Sequence, residues 1–280
     1  MKKKVLLLDG YNLIYRARHS RMNKGEYSTV FNFFRSLRPL IELFDPDLTY
    51  FVLEGRPVKR LSMDSEYKGQ RTYHNKDNFN EQRRKIISLL KEYFPFIVAR
   101  HEDYECDDII NYLANDKHEE DDCVIISSDT DFIQSINDNT KLYSPVRKTF
   151  LDKTEYNYVM WKALVGDASD NIEGFKGIGD KSAKKMLANE NLLSEFLLKE
   201  GHQEKFDRNK FMIAFHSLEE DKETIDFVSL DKTYEWDLLK KEFMDMEFNS
   251  IIGKEKTWEK YIKTFSKLER NRHDNWNSTW

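Results

Sequence analysis

The feature that most constrains this chain is Val5-Leu6-Leu7-Leu8, an unbroken apolar run of strand length that stops at Asp9-Gly10. A run without polar alternation suits a strand covered on both faces. The pattern recurs along the sequence. Residues 48–53, rich in Tyr, Phe and Val, stop at Glu54, and residues 96–99 make a short third run. Val124-Ile125-Ile126 leads into Ser127-Ser128-Asp129-Thr130-Asp131, and residues 141–144 form a fifth run. Helical patterns lie between these runs. Residues 30–44 are stopped by Asp45-Pro46, residues 82–93 place Ile86, Leu89 and Leu90 at helical spacing, and a third helix starts near Cys106 and takes in Ile109, Ile110 and Leu113. The stretch from Gly10 to residue 30 reads as a polar loop. Strands alternating with helices predict an α/β fold with a mixed, mainly parallel sheet flanked by helices.

Beyond about residue 150 the strand signal fades. Residues 153–165 and 181–187 read as helices on either side of a glycine-punctuated segment, 166–179, and the remainder reads as helical or irregular, with a Lys-rich stretch at 254–272. The expected organisation is an α/β core over 1–150, carrying a basic excursion at 56–85, and a helical module over 151–280 with a helix–hairpin–helix at about 156–188. No apolar run approaches the roughly 18–20 residues of a membrane-spanning helix. The four apolar residues after Lys2-Lys3-Lys4 are too few for a signal-peptide core, so a cytoplasmic location is expected. Cys106 and Cys123 support neither a disulfide framework nor zinc spacing.

Net charge is −5, but its distribution says more than its sum. Residues 101–140 hold thirteen Asp or Glu against one Lys, whereas residues 56–85 hold nine Lys or Arg against four acids. An acidic zone beside a basic one can gather cations and grip a polyanion.

The acids are placed in a telling way. Asp9, Glu54, Asp129 and Asp131 follow strand runs, Glu105, Asp107 and Asp108 open the helix after the third run, and Asp167 and Asp170 open the module. Ligands of open α/β sheets bind beyond the carboxyl ends of the strands, so these side chains are expected to converge on one edge. Singly, each has an ordinary explanation as a helix cap or turn residue. Together they repel one another unless cations neutralise them. Oxygen-only donors select magnesium or manganese over zinc. Two such ions about 4 Å apart are the usual apparatus of phosphodiester hydrolysis. Farther on, Gly177-Ile178-Gly179 between two helices, with Lys176, Lys181 and Lys184 nearby, suits a turn whose backbone N–H groups approach phosphate oxygens. Such contacts read the nucleic-acid backbone and not the bases.

Five segments resemble the 5′ nucleases, which comprise flap endonucleases, the 5′-exonuclease domain of bacterial DNA polymerases, and bacteriophage 5′-exonucleases of ribonuclease H type. They are VLLLDGYNLIYR (5–16), EYKGQR (66–71), YECDDII (104–110), VIISSDTDF (124–132) and GDASDNIEGFKGIGDKSAKKML (166–187), and they occur in the family order. Chain size and Tyr143-Ser144-Pro145 point toward the bacteriophage members.

The resemblance implies two metal sites holding Mg2+ or Mn2+. One would use Asp9, Glu54, Glu105, Asp107 and Asp108, and the other Asp129, Asp131, Asp167 and Asp170. Glu54 departs from the pattern, because the family has Asp at that strand end. The resemblance also makes 56–85 a helical arch, in which Lys68 contacts the scissile phosphate, Arg71 holds the 5′ strand, and Tyr67 stacks on a base or packs. It assigns Lys176, Gly177, Gly179, Lys181 and Lys184 to duplex binding, with K+ held by hairpin carbonyls. The implied substrates are DNA with 5′ flaps, nicks or ends, and RNA–DNA hybrids. The implied products carry a 5′-phosphate and a 3′-hydroxyl. A monomer acting beside replication proteins is expected. Two other readings stay open: a haloacid-dehalogenase-like phosphatase using Asp129-Thr130-Asp131, and a DNA-binding module without catalysis.

Overall fold

In the computed structural model, which describes residues 2–20, 25–70, 76–228 and 234–276, the apolar runs become strands of one sheet. β1 (Lys4–Asp9) leads into α1 (Gly10–Arg18) and α2 (Ser28–Phe44), and β2 (Leu48–Val52) leads into α3 (Val58–Met63) and α4 (Lys76–Tyr93). β3 (Ile97–Arg100) precedes α5 (Cys106–Tyr112), and β4 (Asp122–Ile126) is followed by β5 (Thr140–Ser144) and β6 (Thr149–Leu151). Then come α6 (Tyr158–Val165), a small hairpin of β7 (Gly166–Asp167) and β8 (Ile172–Glu173), α7 (Asp180–Leu187), α8 (Glu190–Leu197) and α9 (His202–Ile213). The chain closes with β9 (Asp226–Val228), α10 (Trp236–Asp245), α11 (Asn249–Ile252) and α12 (Glu255–Trp276).

The seven-stranded sheet has the order β6-β5-β4-β1-β2-β3-β9. Its five central strands are parallel, and the edge strands β6 and β9 are antiparallel to their neighbours. β1 lies at the centre and is buried from Val5 to Asp9, as its unbroken apolar run requires. One face packs an aromatic-rich cluster that includes Phe33, Phe34, Phe51 and Phe94, and the other face packs α5 through Ile109 and Ile110, together with Leu113 just beyond it.

Three features differ from the sequence expectation. Residues 10–18 form a helix and not a polar loop. The Asp9 side chain accepts the Asn12 N–H at 3.0 Å and caps α1, while Leu13, Ile14 and Ala17 bury one face. The helix starts hard against the sheet, because a Cβ on Gly10 would lie 2.5 Å from the Val52 carbonyl oxygen. Second, β6 precedes the helix expected from residue 153, and that helix begins only at Tyr158, capped by Asn157. Third, β9 and α10 to α12 do not stay with the helices that follow residue 150. β9 pairs with β3, and Trp258, Tyr261, Phe265 and Leu268 of α12 sit in the same buried cluster as Phe34 and Phe94. A third cluster joins α6, α7, α8 and α9 through residues such as Ala163, Phe175, Ala183, Phe196 and Phe206, and Tyr67 is packed into it. Among the described residues, no helix is long and apolar enough to cross a membrane.

Candidate active site

The carboxyl ends of the parallel strands open into a cleft of about 550 Å3. Asp9 stands at the end of β1, Glu54 two residues beyond β2, Asp107 in the first turn of α5, Asp129 and Asp131 after β4, and Asp167 and Asp170 on the β7–β8 hairpin, and all seven line the cleft. The other two acids expected there, Glu105 and Asp108, do not line it.

Burial and mutual proximity raise three of the cleft acids. Burial, reinforced by Asp129, pushes Asp9 up to about 6, although the Ser127 hydroxyl donates to it at 2.7 Å. Burial, reinforced by Glu105 and Asp9, pushes Glu54 up to about 7. Asp107 is raised well above the usual carboxylate range by burial and by Asp129, Asp9 and Glu54. Among the described residues, no donor reaches the Asp107 side chain. A carboxylate left without a donor among three others is an unfavourable arrangement that a hard cation relieves, and oxygen-only donors suit magnesium or manganese. The second group has its own compensation. Oxygens of Asp131, Asp167 and Asp170 lie within 4.8 Å of one another, and the Lys162 ammonium contacts Asp131 and sits 2.6 Å from Asp167.

These shifts set a pH dependence. Unfolded carboxyls titrate near 4, whereas Asp9 and Glu54 keep protons to about 6 and about 7. The metal-free fold therefore binds more protons than the unfolded chain between about pH 4 and pH 7, and the stability these groups contribute is lost as pH rises through that window. Manganese added to chelator-treated protein is expected to raise Tm more at about pH 7.5 than at about pH 5, because at low pH it must displace protons. Equal increments in a melting assay at both pH values would contradict this.

Behind the cleft, Arg60 of α3 explains where the missing acids went. Arg60 is 3% exposed. Its Nη1 donates to Glu105 at 2.6 Å and Asp108 at 2.8 Å, its Nη2 to Asp108 at 2.9 Å and the Ala214 carbonyl at 2.8 Å, and its Nε to the Met212 carbonyl at 3.0 Å. Asp108 also accepts the N–H groups of Glu105 and His216, so it serves as a buried structural partner and not as a cleft ligand. Glu105 presents its other oxygen to Lys68 Nζ at 2.5 Å and so meets the cleft through that lysine. Of the two expectations for Tyr67, its position fits packing and not base stacking. It is buried, its hydroxyl donates to Glu105 at 3.1 Å and Asp170 at 3.2 Å, and its ring cannot stack on a base while packed there. Lys68 lines the cleft, and Arg71 lies outside the described residues.

Several residues in or against the cleft escaped the sequence reading. Lys162 and Tyr158, one turn apart on α6, both reach Asp131, the latter by a 2.9 Å hydrogen bond. The carbonyl oxygen of the Asn12 side chain accepts the Ser128 N–H at 3.1 Å. Tyr11 and Tyr15 stack along α1 with ring centroids 6.3 Å apart at the cleft wall. All three sit on a segment read as loop, and Lys162 carried no local signal.

The glycine turn at 177–179 follows the Asp167–Asp170 loop and leads into α7, so both lie between α6 and α7. Gly179 precedes α7 with no side-chain cap, Gly177 has φ 81°, and a Cβ at either would meet open space. Lys176 and Lys181 are exposed, and Lys184 pairs with Asp180 at 2.8 Å.

Residues 4–163 match the family model described as 5′-3′ exonuclease, N-terminal resolvase-like domain. DNA polymerase I of Caldicellulosiruptor bescii is 31% identical over 283 residues, covering 89% of this chain and 33% of the relative, so the chain spans about a third of that protein's length. The 5′-3′ exonuclease of Mycoplasmopsis pulmonis is 28% identical, with 67% of each chain covered. Among solved structures, T5 5′-exonuclease with divalent metal ions (zinc) bound gives a TM-score of 0.63 at 22% identity, covering 75% of this chain and 89% of that one. The catalytic core of Rad2 in complex with DNA substrate gives 0.53 at 20% identity, covering 94% and 92%. At these identities the structural likeness speaks for the fold.

Proposed function

The chain belongs to the 5′-3′ exonuclease family, and on that footing we propose that it is a structure-specific 5′ nuclease that hydrolyses phosphodiesters at 5′ flaps, nicks and ends of DNA and in RNA primers, with magnesium or manganese as cofactor. One observation carries the reading: seven carboxylates from segments as far apart as Asp9 and Asp170 line one cleft, in which burial and acidic neighbours raise Asp9, Glu54 and Asp107.

Asp9, Glu54 and Asp107 would hold one cation, and Asp129, Asp131, Asp167 and Asp170 a second. When bound, two such ions supply a water of lowered pKa and neutralise charge building on the phosphate. The protein's own groups do the rest. The Lys68 ammonium, 2.5 Å from Glu105 and 3.7 Å from Asp170, stands at the cleft to meet the scissile phosphate, with Arg71 beside it in the sequence. The Tyr11–Tyr15 pair offers a ring face to an unpaired base. The Gly177–Gly179 turn with Lys176, Lys181 and Lys184 would take duplex phosphates, with K+ at its carbonyls, so binding should weaken steeply with salt.

The test is gel analysis of labelled flap, nicked and RNA-primed duplexes, with magnesium and with chelator. Magnesium-dependent products ending in 3′-hydroxyl and 5′-phosphate are expected. Retention of DNA without cutting would reduce the protein to a binding module, and phosphate release from small esters alone would favour a phosphatase.

A further inference from the structure

Lys68 sits in a turn that is held from outside. Within residues 64–70 the Tyr67 N–H donates to the Asp64 carbonyl at 3.1 Å and the Gly69 N–H to the Glu66 carbonyl at 2.9 Å. Lys68 itself has φ 55°, in the left-handed region that disfavours a lysine. Such backbone persists only where surrounding contacts over-determine it. Here the contacts come from a loop about one hundred residues away in sequence. The Lys68 N–H donates to the Asp170 carbonyl at 3.2 Å, Asn171 Nδ2 donates to the Glu66 carbonyl at 3.2 Å, and Gln70 Nε2 donates to the Ala168 carbonyl. Asn171 is also left-handed, at φ 62°, a conformation that asparagine tolerates. Neither Asn171 nor Gln70 lines the cleft.

We propose that Asn171, assisted by Gln70, is a positioning residue whose side-chain amide clasps the Lys68 turn to the carboxylate-bearing loop of the module and so presents the Lys68 ammonium to the cleft. The inference rests on the reading of Lys68 as a phosphate-contacting group. Asparagine meets both demands at this position, because glycine would keep the φ without the donor, and alanine would keep neither.

The experiment measures single-turnover cutting of a 5′-flap duplex by the full chain carrying Asn171→Ala, Asn171→Gly, Gln70→Ala or Lys68→Ala, and by the Asn171→Ala/Lys68→Ala pair, with manganese affinity measured by calorimetry. Asn171→Ala and Asn171→Gly should each slow cutting about tenfold, and Gln70→Ala less, with manganese affinity unchanged. In the Lys68→Ala background Asn171→Ala should cause no further loss, because it acts only through that lysine. Multiplicative losses in the pair, full activity in Asn171→Gly, or weakened manganese binding in Asn171→Ala would overturn the proposal while leaving the nuclease reading intact. Gln70 is exposed, so its variant tests the clasp even if changes at Asn171 disturb folding. Lys68→Ala cutting at the wild-type rate would remove the Lys68 reading itself, and the proposal with it.

Discussion

Asp107→Asn is expected to fold, to bind duplex DNA, and to cut roughly a thousandfold more slowly than the wild type. Asp107 is the cleanest acid to change, because its neighbours have structural duties. Asp9 caps α1 and accepts from Ser127, and Asp129 accepts the Asp131 N–H at 2.9 Å. The capping box of α5 uses Glu105 and Asp108, which leaves Asp107 outside it. Asparagine keeps the volume and removes the charge. The charge that burial and the neighbouring acids oppose at Asp107 is then gone, so the metal-free protein should become more stable near neutral pH while losing activity. The opposite signs separate a cation ligand from a packing residue, whose loss would lower both. Single-turnover cutting and melting in chelator read the two quantities. Undiminished cutting, or a lower metal-free Tm, would defeat the assignment.

The second large effect belongs to Arg60→Met. Methionine is close in length but strands Glu105 and Asp108, which are 2% and 1% exposed, without their guanidinium. Breaking a buried pair by removing one partner is destabilising by about 3–5 kcal/mol. In a chain of this size that lowers Tm by roughly 10 °C. Arg60→Lys should recover little, because one ammonium cannot reproduce hydrogen bonds to two carboxylates and the Met212 and Ala214 carbonyls. Removing the stranded charge as well, in Arg60→Met/Asp108→Leu, should restore part of the loss. A single-variant Tm within about 2 °C of wild type would show that water or rearrangement satisfies the two acids.

The two predictions also show where local sequence stops being informative. Asp107 and Asp108 are adjacent in the same acidic run, and nothing in their immediate neighbours distinguishes them. On a helix, successive side chains point about 100° apart, so one faces the cleft and the other the interior, where Arg60 meets it. The same limit hid Lys162, whose partners are Asp131 and Asp167, and Tyr67, whose motif suggested a base contact while its ring is buried among α6 and α9 residues. In α12 the buried Trp258, Tyr261, Phe265 and Leu268 repeat at helical spacing, which marks an apolar face without naming the surface it covers.

From the sequence alone came the five parallel strands and their order of appearance, the carboxylates at their ends, and the glycine turn between two helices. Each is recorded in the chemistry of residues a few positions apart, and parallel strands bring their carboxyl ends to a common edge wherever the intervening chain goes. The tertiary structure decided which acids share the cleft, which are held behind it by Arg60, and how the Lys68 turn meets the 168–171 loop. Those outcomes depend on contacts between residues 45 to more than 100 positions apart, set by packing and burial that no local pattern encodes.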